Sequence, residues 1–147
     1  MIYCTTSQFI LVNLALKKPS FQSTTLAKGE AKYGNDGNRS TRCATGKNGP
    51  YQWWSVDLKE VVSIEKVVLH LSSSAFYQGR YTRLNISATT DVNDIWTQCN
   101  SIPNPSTLVI SLTCVDETLA RHVKVLQDEQ LFLVEVEVYG KVVPPGN

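Results

Sequence analysis

The sequence predicts an all-β domain, and three observations carry this prediction. The chain has 147 residues, enough for one domain with a single core, and 42% of them are hydrophobic against 18% charged, a balance that argues against disorder. Its second half consists of short apolar stretches, often alternating with polar residues, and turn residues separate them. No stretch carries the apolar stripe of an amphipathic helix. Many short strands with intervening turns are typical of a β-sandwich or a β-barrel.

The first third of the chain predicts little regular structure. Val12 to Leu16 is apolar with one polar break and is expected to form a short strand. Residues 20–50 hold many glycines and small polar residues and no sustained periodicity, and loops of this length in compact domains are usually functional. The pair Trp53-Trp54 then opens the strand-rich part of the chain. We expect both indoles to pack in the core or at the base of the loops rather than to contact a ligand.

The remaining strands follow at short intervals. A polar and aromatic loop is expected over Ser72 to Gly79. In the last strand Val134, Val136 and Val138 share one face, and Glu135 and Glu137 share the other. The predicted strands in chain order are 61–71, 81–89, 107–112, 122–126 and 131–139.

Composition and motifs narrow the function classes. The net charge is +1 and the Lys and Arg residues are scattered, so nucleic acid is not an expected partner. No apolar run approaches the length of a membrane span. The chain contains neither G-x-S-x-G nor H-E-x-x-H, and no carboxylate pair stands out on its loops. His70 and His122 lie within strand-like stretches without metal spacing, so each is expected to be an ordinary strand residue. These observations favour a binding domain over an enzyme.

The cysteines and glycosylation sequons point to an oxidising compartment. The chain has four cysteines, and sequons begin at Asn38 and Asn85. We therefore expect a secreted or otherwise extracellular protein. The polar residues within positions 4–8 do not fit a signal peptide, so a leader is expected to have been removed already.

The order of several motifs resembles a known family. These motifs are Asn13-Leu14-Ala15-Leu16, Asp36-Gly37-Asn38, Trp53-Trp54-Ser55-Val56-Asp57-Leu58, the pair Cys99 and Cys114, and Val134-Glu135-Val136-Glu137-Val138. Together they resemble the F-type lectin (fucolectin) family, within the discoidin or coagulation-factor C-type group. The resemblance implies an eight-stranded jelly-roll β-sandwich with binding loops at one end. It divides the chain into an N-terminal arm (1–12), the domain (13–141), and a tail or linker start (142–147).

The same resemblance implies a structural calcium ion near the loop end. Calcium takes hard oxygen ligands, many of them from the backbone. The family positions correspond to the side chains of Asp36 and Glu135 and to the carbonyls of Tyr33, Asn38, Arg42 and Val134. The family usually has Ser at the place of Arg42. The competing interpretation is that Asp36 belongs to an ordinary turn and that Glu135 is a solvated strand residue.

The family's sugar site uses one His and two Arg, with an Asp between the arginines. Counted from Trp53, the His position falls on Thr45, the first Arg on Ser72, and the Asp near Ser74. Only the second Arg is kept, as Arg80. Hydroxyl groups give weaker hydrogen bonds than charged donors, so the resemblance implies a diverged fucose pocket.

Three functions remain open for such a domain. It could bind a different glycan, fucosylated or not, through Arg80, Phe76, Tyr77 and the neighbouring hydroxyls. It could have lost sugar binding and serve cell adhesion, for instance by binding a cell-surface glycoprotein. Phe76 and Tyr77 could instead form an exposed aromatic tip that contacts a protein or, less favoured, a membrane surface. The alternative for both aromatic residues is that they cover the base of the loop.

The resemblance also suggests how the cysteines pair. Cys99 and Cys114 match a disulfide of the family. Cys43 matches a family cysteine whose usual partner position here holds Val134. We expect Cys4, in the N-terminal arm, to pair with Cys43 instead; two free thiols or an intermolecular bond through Cys4 are the alternatives.

Overall fold

A computed structural model describes residues 11–47, 49–115 and 118–145 and confirms the all-β prediction. Within these residues no helix is long and apolar enough to cross a membrane. The elements are β1 (Ser20–Gln22), a 3₁₀ turn (Ala31–Gly34), β2 (Cys43–Ala44), β3 (Gln52–Leu71), α1 (Ser73–Tyr77), β4 (Arg83–Thr89), β5 (Thr97–Pro103), β6 (Val109–Thr113), β7 (Leu119–Gln127) and β8 (Phe132–Val142).

The fold is organised around β3, whose 20 residues take part in both layers of the sandwich. Its first part, residues 52–57, pairs with β1 on one side and β7 on the other. After a register shift between Asp57 and Val62, its second part pairs with β6 and β8. Strands β4 and β5 extend the first layer and β2 extends the second. All pairs are antiparallel, and the eight-stranded jelly roll is confirmed.

The two adjacent tryptophans face opposite sides of β3, as the twofold alternation of a strand requires. Trp54 is fully buried in the core, and its Nε1 donates a hydrogen bond to the carbonyl of Ala31 at 2.8 Å. Trp53 is half-buried on the outer face, where Nζ of Lys124 lies 5.0 Å from its ring. Trp54 therefore fixes the 3₁₀ turn to the core, so the loop region is attached directly to the scaffold.

Two predicted elements differ from the structure. The expected strand at residues 12–16 is a turn, because the Asn13 side chain takes over the hydrogen bonding there: its Oδ1 accepts from Ala15 N and Val138 N, both at 3.0 Å. The expected loop at 72–79 contains the single helical turn α1, which is too short for periodicity to reveal.

Strand β5 was not predicted at all, since Thr97–Pro103 is mostly polar and does not alternate. It forms because it pairs with β4 along its length. The side chain of Cys99 on this strand is bonded to Cys114, just beyond β6, which confirms the expected disulfide. The other expected bridge, between Cys4 and Cys43, stays a prediction, because Cys4 lies outside the described residues. Within the described part of the chain Cys43 is buried and has no disulfide partner. Cys43 is enclosed between Gly34, its strand partner Leu133 and the core.

Candidate functional site

One end of the sandwich gathers the loop before β2, the helical turn α1 and the start of β8. Tyr81 joins the last two. Its buried hydroxyl donates to the carbonyl of Phe132 at 2.6 Å and accepts from the N–H of Ser72 at 2.9 Å. Burial raises the pKa of Tyr81, so the phenol stays protonated and can donate. This paired hydrogen bond holds the α1 segment against the first residue of β8.

A cavity of about 370 Å³ opens beside this junction, within the size range of small-molecule sites. We call it the arginine cavity. Its lining consists of three cationic, three polar and three apolar side chains: Arg42, Lys47, Arg80, Ser74, Gln78, Gln130, Leu26, Ala75 and Phe132.

Arg42 is the best-anchored cation of the arginine cavity. It stands one residue before β2, and its Nη1 donates to Ser72 Oγ at 2.9 Å and to Ser74 Oγ at 3.2 Å. Its guanidinium carbon lies 5.2 Å from the centre of the Phe132 ring. Ser72 is buried and Ser74 is exposed, so two hydroxyls hold Nη1 in place, and the other N–H donors of the guanidinium form no hydrogen bond within the described residues.

Arg80 approaches the same ring independently. Its guanidinium carbon is 5.7 Å from the Phe132 ring centre, and Nη1 lies 3.4 Å from Gln130 Oε1, a weak hydrogen bond. The side-chain nitrogen of Gln130 in turn donates to the carbonyl of Thr45 at 2.8 Å. A second cavity of about 410 Å³ adjoins the first and shares Lys47, Arg80 and Gln130 with it. Two guanidinium groups thus converge on one aromatic ring at the mouth of a continuous depression.

The structure brings together only some of the side chains expected at the sugar site. Arg80 and Ser74 line the arginine cavity, and Ser72 supports it through Arg42. Thr45 is buried, and its hydroxyl accepts from the N–H of Leu131 at 2.8 Å, so it serves the scaffold and does not line the cavity.

The two expected aromatic residues also lie outside the arginine cavity. Phe76 packs partly against the hydrophobic core, which agrees with the interpretation that it covers the base of the loop. Tyr77 is 78% exposed and contacts the edge of Phe76, with 5.3 Å between the ring centres. Tyr77 is therefore an exposed ring on α1 that packs only against its neighbour Phe76 among the aromatic rings of the described residues.

Sequence reasoning missed the role of the Arg42 side chain. Only its carbonyl was assigned a function, yet its guanidinium reaches Ser72, the position at which the family resemblance expects an arginine. The Arg42 guanidinium, which comes from the loop before β2, therefore lies near Ser72, where the family resemblance expects an arginine in the loop after β3. Two features of the sequence could have indicated this role. Arg42 is a long cationic residue at a position where the family usually has Ser, and Ser72 and Ser74 are small hydroxyl residues that can accept its hydrogen bonds.

A second feature of the same end is the acidic pair, Asp36 and Glu135. Glu135 is 1% exposed although it stands on the outward face of β8, because the 36–37 turn covers it. Its Oε2 accepts from Gly37 N at 2.8 Å, while Oε1 is buried without a hydrogen-bond partner among the described residues. Burial, reinforced by the charge of Asp36, raises the pKa of Glu135 to about 7. The interpretation of Glu135 as a solvated strand residue is therefore wrong.

The loop that follows is folded around the Asp36 carboxylate. Its Oδ1 accepts from Asn38 N at 2.9 Å and its Oδ2 accepts from Thr41 Oγ1 at 2.6 Å. The β2–β8 register pairs Cys43 with Leu133, so Arg42 and Val134 flank this ladder on the same side. Val134 has no register partner on β3, where the pairing shifts. Tyr33 lies three residues before Asp36, in the 3₁₀ turn.

The described residues contain no group of three His, Cys, Asp or Glu side chains placed to hold one metal ion. The acidic pair supplies only two such side chains, and a calcium ion there would take its other ligands from backbone carbonyls. The absence of a three-side-chain group therefore does not bear on Asp36 and Glu135. Both histidines are strand residues, as expected: Nε2 of His70 on β3 lies 2.7 Å from Glu137 Oε2, and burial lowers the pKa of His122 on β7.

Comparison with solved structures supports the fold assignment. A fucose-binding module from Streptococcus pneumoniae is 28% identical, with a TM-score of 0.78 over 89% of this chain and 96% of that chain. A fucolectin from striped bass (Morone saxatilis) serum is 27% identical, with a TM-score of 0.79 over 90% of this chain and 48% of that chain. A chitosan-binding module from a Paenibacillus chitosanase/glucanase is 25% identical, with a TM-score of 0.75 over 88% and 98% of the two chains.

These three neighbours are carbohydrate-binding modules or lectins. No curated protein sequence matches the chain. The model of the NedA-like, galactose-binding domain in the F5/F8 type C group matches residues 33–125, more than half of the chain, and this range includes Arg42 and Arg80. The chain therefore belongs to the NedA-like, galactose-binding domain family of the F5/F8 type C group, the discoidin-like fold to which F-type lectins are similar.

Proposed function

We propose that this chain is an extracellular carbohydrate-binding domain, stabilised by calcium, that binds a glycan in the arginine cavity. The observation that carries the proposal is the convergence of Arg42 and Arg80 on the Phe132 ring, at the mouth of a cavity of about 370 Å³. Fixed guanidinium donors suit sugar oxygens, and a partly apolar lining suits the C–H faces of a sugar ring. Glycan binding by solved relatives of the same fold supports the proposal.

The pocket is diverged from the fucose pocket that the family resemblance implies. Arg80 keeps its expected place, whereas Thr45 is withdrawn into the scaffold and Arg42 contributes a guanidinium from a different loop. The spacing of donors therefore differs, and with it the set of sugar hydroxyls that can be satisfied together. We therefore expect the pocket to bind a glycan other than a terminal fucose.

The calcium part of the proposal rests on the buried Oε1 of Glu135, which has no hydrogen-bond partner among the described residues. A carboxylate oxygen buried next to Asp36 fits a divalent cation, which would satisfy the orphaned oxygen and offset the like charges. The expected ligands are the side chains of Asp36 and Glu135 with the carbonyls of Tyr33, Asn38, Arg42 and Val134. Arg42 would then link both sites, because its backbone faces the ion and its side chain faces the arginine cavity.

The test is a glycan array probed with the wild-type protein in calcium and in EDTA, followed by titration of the best ligand. Arg80→Ala should weaken binding at least tenfold, since a charge-assisted hydrogen bond contributes about 1.5–3 kcal/mol. Arg83→Ala is the matched control, because Arg83 is exposed on β4 and outside the cavity. Silence across the array, or equal effects of the two variants, would contradict the proposal.

A second candidate function is adhesion through the α1 loop, and the exposure of Tyr77 favours it. A large ring that is 78% exposed is a suitable anchor for a protein surface. Tyr77→Ala would then abolish capture of cells or glycoproteins that carry the partner, while Arg80→Ala would leave it unchanged. The opposite pattern would assign recognition to the arginine cavity.

A further inference from the structure

The residues that line the arginine cavity carry an excess of positive charge. Three of its lining side chains are cations, namely Arg42, Lys47 and Arg80, and the described residues that line it include neither Asp nor Glu. The whole chain has a net charge of only +1, so this charge is a local property of the site. Such a cluster favours ligands of opposite charge.

Neither guanidinium forms an ion pair in the part of the chain that the structure describes. Arg42 is hydrogen-bonded to two serine hydroxyls and Arg80 to an amide oxygen, and these are neutral acceptors. Asp128 and Glu129 line the adjoining cavity, beyond ion-pair distance of Arg80. By contrast, Arg121 on β7 binds the carboxylate of Asp57 through two nitrogens, at 2.9 and 3.1 Å. The two cavity arginines are thus held in place with their charge left available.

The balance of donors and acceptors points to the same class of ligand. A guanidinium offers five N–H donors and an ammonium three, and neither can accept a hydrogen bond. A neutral sugar hydroxyl is a donor as well as an acceptor, so the three cations engage only its accepting capacity. A carboxylate or a sulfate ester only accepts, and arginine binds such groups with two parallel hydrogen bonds.

Accordingly, we propose that the arginine cavity selects glycans bearing an anionic group, a carboxylate or a sulfate ester, over their neutral counterparts. The inference depends on one arrangement of side chains: Arg42 and Arg80 both lie beside the Phe132 ring, and Lys47 lines the same cavity. It rests on the proposed function, because it specifies the class of glycan bound in that same cavity.

The experiment compares three matched probes: lactose, its 3′-sulfated form and its 3′-sialylated form, each titrated into the wild-type protein at low and at physiological salt. At least one anionic probe should bind ten times or more tightly than lactose, and its affinity should fall as salt rises. Preference for the sulfated or for the sialylated probe distinguishes the two anionic groups. Lactose binding as tightly as both would overturn the inference and leave the proposed function standing. Binding of none of the three, with a silent array, would overturn both.

Two variants make the charge argument specific. Arg42→Gln keeps hydrogen-bond donors but removes the charge, and it should reduce the preference for the anionic probe at least fivefold; Arg83→Gln, the control, should not. Ser74→Asp places a carboxylate where Oγ now lies 3.2 Å from the Arg42 guanidinium, and Ser74 is exposed enough to accept it. This variant should bind the anionic probe at least tenfold more weakly than wild type, and its loss of affinity for the anionic probe should exceed any loss for lactose. An unchanged ratio of the two affinities, in a variant whose thermal unfolding matches wild type, would contradict the inference.

Discussion

Replacing Glu135 with Gln tests the acidic pair and the calcium proposal together. In the absence of calcium, burial raises the pKa of this carboxyl from 4.5 to about 7, with a further contribution from Asp36. One unit of pKa corresponds to about 1.4 kcal/mol, so ionised Glu135 destabilises the folded state by roughly 3 kcal/mol above pH 7. In EDTA at pH 8 the Glu135→Gln variant should therefore have a free energy of unfolding about 2–3 kcal/mol higher than wild type.

The pH dependence has a definite sign. Between pH 4.5 and about 7 the folded state holds a proton on Glu135 that the unfolded state has released. The free energy of unfolding of the wild type in EDTA should accordingly fall as pH rises through this window, and the variant should lack this fall. At pH 5 the two proteins should differ little. Urea unfolding, followed by the fluorescence of buried Trp54, measures all of these values.

Calcium should remove most of the difference in stability between the two proteins. A bound ion stabilises the folded state, by about 2.7 kcal/mol at a hundred times its dissociation constant, and it lowers the pKa of its carboxylate ligands. Wild type should gain this stability at pH 8, whereas Glu135→Gln, which lacks one charged ligand, should gain much less. A wild-type protein indifferent to calcium, or stability in EDTA that rises between pH 5 and 8, would refute the reasoning.

Glu137→Gln is the matched control on the same strand. Burial raises the pKa of Glu137, but hydrogen bonds from His70 and Tyr139 outweigh this effect and lower it overall. Neutralising Glu137 should therefore destabilise the protein at pH 8, in the direction opposite to Glu135→Gln, and to the same extent with and without calcium. Stabilisation by Glu137→Gln would mean that the effect at Glu135 does not arise from its own site.

Two further predictions concern the scaffold. The hydrogen-bonded Arg121 lowers the pKa of Asp57 to about 2, so the pair contributes stability above pH 4 that is lost as pH falls from 3.8 towards 2. Asp57→Asn should flatten acid unfolding in this range, and an unchanged acid transition would contradict this. Tyr81→Phe removes the hydroxyl that pairs with the N–H of Ser72 and the carbonyl of Phe132, so the free energy of unfolding in urea should fall by about 1–3 kcal/mol. Glycan binding should also weaken, because α1 is held less firmly. A change in the free energy of unfolding below about 0.5 kcal/mol would contradict this prediction.

The position of Arg42 illustrates how a site can be moved between loops. Counting residues from Trp53 located the expected donor positions at Ser72 and Ser74 and found no charge there. The structure shows a guanidinium at these two hydroxyls nonetheless, contributed by a residue 30 positions earlier in the chain. Alignment to a motif tracks positions along one segment, whereas a ligand meets whatever side chains occupy the space. The absence of an arginine from positions 72 and 74 is therefore visible in the sequence, but the guanidinium that Arg42 places there is not.

The sequence by itself determined the strand-rich scaffold, because alternation and turn residues are local patterns that do not depend on distant contacts. Its resemblance to the F-type lectin family implied the Cys99–Cys114 disulfide, which the structure confirms, and named Asp36 and Glu135 as candidate calcium ligands. Only the tertiary structure decided that residues 12–16 form a turn, that Glu135 is buried, and that Arg42 faces the arginine cavity. These three features share one physical reason, because each depends on contacts between segments that are distant in the sequence. Burial and side-chain pairing across loops are properties of the packed chain and cannot be read from a single stretch of it.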